Sequence, residues 1–114
     1  MRSPITTHVL DIQVGRAAAG VPVSLDLQSD RGWTTLATGV TNADGRIEDL
    51  LKPGSRAENG IYRLSFETQK YFSKLGTKSF YPEVSVVFEI TDATAHHHVP
   101  LLLSAFGYST YRGT

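Results

Sequence analysis

The sequence predicts an all-β fold, an antiparallel β-sandwich of seven or eight strands with one short helix, on three observations. Apolar and polar residues alternate with period two through much of the chain, as they do in strands with one buried face. Runs rich in Gly, Asn, Asp and Pro punctuate those stretches at short intervals, as turns between strands do. Only the segment after Thr68 spaces its apolar residues in helical fashion.

Taken in order, ITTHVLD (5–11) mixes branched and polar residues as a strand, and GRAAAG (15–20) interrupts it. Val21, Val23, Leu25 and Leu27 then alternate with Pro22, Ser24, Asp26 and Gln28, a half-buried strand. SDRG (29–32) reads as a turn, WTTLATGVT (33–41) as a third strand, and Asn42-Ala43-Asp44-Gly45 as another turn. Arg46 opens a short segment ending near Leu51, and KPGSRAENG (52–60) is loop. The next strand, 61–67, sets Tyr62, Leu64 and Phe66 on one face. Thr68 is expected to cap the helix, with Tyr71, Phe72 and Leu75 on its apolar side and Gly76 ending it. Residues 84–90 form a further strand, and two more run from about 97 to 103 and 105 to 111.

A chain of 114 residues suits one domain spanning 1–114, with no repeat or linker to divide it. Eleven basic and eleven acidic side chains cancel, which argues against a nucleic-acid or membrane-surface partner. The absence of cysteine rules out disulfides, thiol catalysis and cysteine-bound metal. The chain shows no apolar run of a secretory signal, none of a membrane span and no terminal SKL, so a cytoplasmic location is expected.

The polar residues with chemistry fall on strand faces. Residues i and i+2 share a face, so His8 sits with Thr6, Leu10 and Ile12 while Val9 points away. His96 and His98 share a face with Pro100 and Leu102; His97 joins Val99, Leu101 and Leu103 on the face expected to be core. A histidine pair at this spacing can converge on a ligand. With His8 it would offer zinc three imidazoles, as in a metal-dependent cyclic amidohydrolase. Arg46, directly after its turn, reads either as a solvated strand-start residue or as a cation held for use. The closing tetrapeptide, Tyr111-Arg112-Gly113-Thr114, is dense in functional groups for a chain end, where segments usually fray. None of these signals names a reaction by itself.

Together they resemble the transthyretin-related 5-hydroxyisourate hydrolases. The matching stretches are ITTHVLD (5–11) with GRAAAGVPVSL (15–25), TNADGR (41–46), YRLSFETQKYFSKLG (62–76), FYPEV (80–84) and HVPLLLSAFGYSTYRGT (98–114). The specific part is the end: enzymes of this family close on YRGS, a tetrapeptide that the hormone-carrying transthyretins lack along with the histidines. The resemblance implies a transthyretin-like sandwich and a homotetramer with small-molecule sites in the channel at the subunit interface, using neither metal nor cofactor. It also implies hydrolysis of an acyl C–N bond in the six-membered ring of 5-hydroxyisourate, giving 2-oxo-4-hydroxy-4-carboxy-5-ureidoimidazoline. Carried over by motif, the catalytic residues are His8, Arg46 and His98, with His8, Arg46, Tyr111 and Thr114 contacting substrate. His98 is expected to be the general base, His8 to orient water or substrate, and Arg46 to stabilise the oxyanion. The rival from another class is a carrier with the same sandwich and no chemistry. Three positions depart from the family pattern: Thr114 stands for Ser, His97 for Tyr, and Ala105 for Pro.

Overall fold

The computed structural model of the chain describes residues 2–114. In chain order its elements are β1 (Ile5–Asp11), β2 (Arg16–Ala17), β3 (Pro22–Ser29), β4 (Gly32–Val40), β5 (Arg46–Ile47), β6 (Gly60–Phe66), α1 (Thr68–Lys74), β7 (Val84–Ile90), β8 (His97–Ser104) and β9 (Gly107–Thr110). Two sheets face each other. One has the order β2-β1-β8-β9, with β5 also paired to β1; the other has the order β4-β3-β6-β7. The alternation predicted from sequence produces this directly. Ile5, Val9, Leu101 and Leu103 from the first sheet meet Val23, Leu25, Leu64 and Phe66 from the second in one buried core. Tyr62, Phe66 and Phe72 are the largest side chains wholly or almost wholly enclosed. Burying each contributes about 1.5–3 kcal/mol relative to leaving it exposed.

The sandwich was expected from the pattern; one pairing was not. Every named ladder is antiparallel except β1 with β8, which run parallel with Thr6 opposite His98 and His8 opposite Pro100. Period-two alternation marks faces and carries no information on strand direction. The expected segment from Arg46 to Leu51 keeps only two residues as strand, and the last strand begins at Gly107, because Ala105 and Phe106 form the turn before it. Ala105 donates its N–H to Gln13 Oε1 at 2.9 Å, a bond that a proline at this position has no hydrogen to make.

The helix forms where expected, but its start differs. Glu67, not Thr68, is the N-cap, and no side chain caps it; Thr68 is already helical and buried. Leu75 is the C-cap and points out, 48% exposed, while Tyr71 and Phe72 go into the core. Gly76 at φ 69° closes the helix: its N–H reaches Ser73 O and that of Thr77 reaches Phe72 O, a Schellman stop. Tyr71 then donates to Asp11 Oδ2 at 2.7 Å, tying the helix to the end of β1. That hydroxyl is pushed far above its ordinary pKa, first by burial and then by the Asp11 carboxylate it bonds. Among the described residues no helix is long and apolar enough to cross a membrane.

Candidate active site

Strand register assembles the site on the outer face of the first sheet. β1 lies between β5 on one edge and β8 on the other, and β8 lies between β1 and β9. His8 is paired with Arg46 across β1 and β5, and with Pro100 across β1 and β8. Thr6, one row along on the same face, is paired with His98. Cross-strand partners share a face, so Arg46, His8, Thr6 and His98 stand on one side of the sheet as close neighbours.

A built turn delivers Arg46 to this row. The N–H of Gly45 bonds the carbonyl of Asn42 at 2.9 Å, and Asn42 Oδ1 accepts from the N–H groups of both Asp44 and Arg46. Gly45 itself sits at φ 75° against β1, where a Cβ would collide with the carbonyl oxygen of Val9. Only glycine fits there on both counts. The sequence NADGR is thus a device for setting an arginine beside His8.

The chain end is held just as firmly. β9 pairs with β8 through Leu101 opposite Thr110, and continuing that register brings Gly113 opposite His98. Pro100 has no N–H to give at the intervening rung, so the ladder breaks there; Thr110 Oγ1 donates to Pro100 O instead, at 2.7 Å. Pairing resumes where Gly113 N donates to His98 O at 2.8 Å. Gly113 lies so close over the His98 ring that a Cβ would come within 2.6 Å of His98 Cδ2.

Around these groups lies a cavity of about 90 Å³ lined by Arg2, Thr6, Arg46, Glu48, His98 and Thr114. Arg46 makes no ion pair with any described residue. All three imidazoles of this face sit below their usual pKa. For His8 burial is the main cause and the Arg46 charge the next, opposed by the carbonyl and carboxylate of Asp44. For His98 burial leads again, followed by Arg46 and then His8 and His96. His96 is lowered by burial and then by Arg2. Neutral at neutral pH, they offer lone pairs beside a permanent cation, a pairing that suits abstraction of a proton from water next to a carbonyl.

Of the residues singled out from sequence, Arg46, His98 and Thr114 line this cavity, and His8 stands beside Arg46 on the same face. Tyr111 does not line this cavity: it is 56% exposed and borders a second cleft of about 280 Å³, which it shares with His98, Val86, Phe88, His97 and Val99. His97 is buried as its face predicted, its Nδ1 3.0 Å from Ala95 O. The zinc reading finds no support, since among the described residues no three His, Cys, Asp or Glu side chains converge as a metal set. His96 and His98 instead both turn a ring nitrogen to the hydroxyl of Thr6, at 2.9 Å and 2.7 Å. Thr6 is the group that sequence reasoning passed over. It shares a face with His8 in the pattern, but only the parallel β1–β8 pairing brings it to the two histidines.

A sequence model of the HIUase/Transthyretin family matches residues 5–113. A 5-hydroxyisourate hydrolase of Mus musculus is 48% identical over 114 residues, covering 98% of this chain and 96% of that one. Among solved structures, the 5-hydroxyisourate hydrolase of Klebsiella pneumoniae superposes with a TM-score of 0.84 at 39% identity, covering 96% of this chain and 98% of the other. Sea bream transthyretin in complex with thyroxine gives 0.90 at 32% identity, covering 98% and 96%.

Proposed function

From the premise that this chain belongs to the HIUase/Transthyretin family, we propose that it is an enzyme hydrolysing 5-hydroxyisourate to 2-oxo-4-hydroxy-4-carboxy-5-ureidoimidazoline in urate breakdown. The observation that carries the reading is Arg46. It makes no ion pair with any described residue, is set by a turn beside His8, and shares a small cavity with His98 and Thr114.

In this reading His98 takes a proton from water as the water attacks the ring carbonyl, then returns it to the departing nitrogen. His8 orients the water or the substrate. Arg46 donates to the carbonyl oxygen as it gains negative charge, and its planar fork stays protonated throughout. Thr114 brings a hydroxyl and a carboxylate to the cavity, and Tyr111 closes on the flat heterocycle from its neighbouring cleft. Because His8 and His98 interact, their titration belongs to the pair. The chemistry needs neither metal nor cofactor. The chain works as a homotetramer with its sites in the channel between subunits, in the cytoplasm, on a small-molecule substrate and without nucleic acid or membrane.

The test is an ultraviolet assay of freshly generated 5-hydroxyisourate, with its spontaneous decay as baseline. The wild-type chain is expected to accelerate decay, His98→Asn to lose about 10²–10⁴ of that acceleration, and deletion of Tyr111–Thr114 to abolish it while assembly persists. A transthyretin-like carrier would bind ligand and leave the decay rate alone. No acceleration by wild type would sink the hydrolase reading, and full activity in the deletion would sink the role of the tail.

A further inference from the structure

The mechanism above leaves His96 without a task, yet the fold ties it to the proposed base. The rings of His96 and His98 lie 6.5 Å apart, centre to centre, and within 18° of parallel. Between them stands the Thr6 hydroxyl, its side chain 5% exposed, 2.9 Å from His96 Nε2 and 2.7 Å from His98 Nδ1. A hydroxyl has one hydrogen and two lone pairs, so between two neutral imidazoles it can donate to only one of them and otherwise accepts. The two choices have opposite consequences. If Thr6 donates to His98, the His98 proton sits on Nε2 and its only free nitrogen cannot accept. If Thr6 donates to His96, His98 carries its proton on Nδ1 and Nε2 is bare.

Only the second arrangement leaves His98 able to take a proton, and it asks His96 Nε2 to accept from Thr6. The donors then run from His98 Nδ1–H to Thr6 and from Thr6 to His96 Nε2. On the far side of His98 the tail is bonded to it, Gly113 N donating to His98 O at 2.8 Å.

We propose that Thr6 and His96 are positioning residues that hold His98 in the tautomer whose Nε2 is free to act as base. This rests on the hydrolase reading, which makes His98 the base, and the spectrum tests the tautomer independently of it. When His98 gains a proton at Nε2, its Nδ1–H is already bonded to Thr6, so the imidazolium forms with no reorganisation behind it.

Two measurements on Thr6→Val and Thr6→Ser test this in the full chain. Nitrogen-15 NMR of the imidazoles reads the tautomer without any substrate, and steady-state kinetics reads its effect. In wild type His98 is expected as the Nδ1–H form. Thr6→Val, which keeps the branched shape but loses the hydroxyl, is expected to release it to the Nε2–H form and lower kcat at least about tenfold with KM little changed. Thr6→Ser is expected to restore both. If Thr6→Val does not fold, His96→Phe tests the chain from its other end. It frees the Thr6 hydrogen to turn toward His98 Nδ1, and the same tautomer switch and loss of kcat are expected. A wild-type His98 in the Nε2–H form overturns the proposal, as does wild-type kcat in a folded Thr6→Val. Absence of hydrolysis by wild type overturns the hydrolase reading alone, because the spectrum still decides the tautomer.

Discussion

Each sheet carries an arginine on its outer face, and the two are handled in opposite ways. On the β4-β3-β6-β7 sheet, Arg63 stands opposite Asp26 and is fully engaged. Its Nε and Nη2 donate to Asp26 Oδ2 at 3.0 Å and 2.8 Å, its guanidinium lies 4.4 Å from the centre of the Trp33 ring, and Asp26 also accepts from Thr35. On the other sheet Arg46 stands beside imidazoles and shares its cavity with Glu48, yet makes no ion pair with any described residue. The first arginine is spent on structure. The second is positioned by its backbone, through Asn42 and Gly45, so that its side chain remains available. A guanidinium that is not tied into an ion pair stays free to turn its donors to a developing oxyanion.

The contrast is broken most forcefully at Arg46. Arg46→Ala is expected to lower kcat/KM by about 10²–10³, measured by the ultraviolet assay, with little change in thermal midpoint. Its residual activity should also titrate differently. Arg46 depresses the pKa of both His8 and His98, so its removal lets them protonate at higher pH, and the acid limb of the rate profile moves upward. The intact site carries a related cost in acid. His8, His96 and His98 all titrate below 6.5 in the fold. Under that pH the unfolded chain takes up protons that the native site refuses. Stability should therefore be level above pH 6.5 and decline as pH falls toward the lowered values, readable in urea melts on either side of that point.

Gly113→Ala sharpens the comparison next, because it disturbs the free-arginine site through the backbone alone. A methyl at 2.6 Å from His98 Cδ2 must push the tail off β8 or turn the imidazole. Displacements of this size in a reacting group cost up to about 10²-fold in rate, so kcat should fall about 10–10²-fold. The tail contributes no core contact, and the melting curve should stay close to wild type.

How much of this was legible beforehand divides along the same physical line. Which face a residue occupies follows from alternation, so the core row of Val99, Leu101 and Leu103 and the outward His98 could be read from the sequence. Turn chemistry was equally readable, since NADG has few conformations open to it. Strand direction and register were not, because they depend on contacts between segments some ninety residues apart. The role of Thr6 therefore stayed hidden although its face was known. The helix start was missed for a related reason: Thr68 has the composition of a cap, but burial drew it into the first turn. The order of the chain end came from the resemblance, and its cause, a β9 ladder that resumes past Pro100, is visible only in coordinates.

The smallest expected effect belongs to the arginine that is already satisfied. Arg63→Ala leaves Asp26, buried, with the Thr35 hydroxyl as its remaining side-chain partner. An unpaired buried acceptor argues for a real loss, but the Arg63 side chain is 31% exposed and water can reach what it vacates. The net cost should be about 1 kcal/mol, a fall of roughly 4 °C in thermal midpoint. Turnover should not change at all, since the residue lies on the opposite sheet from His8, Arg46 and His98. A loss of activity in a folded Arg63→Ala would mean that the two faces communicate through the core. The division between a structural and a working arginine would then fail, even if Arg46 behaved as expected.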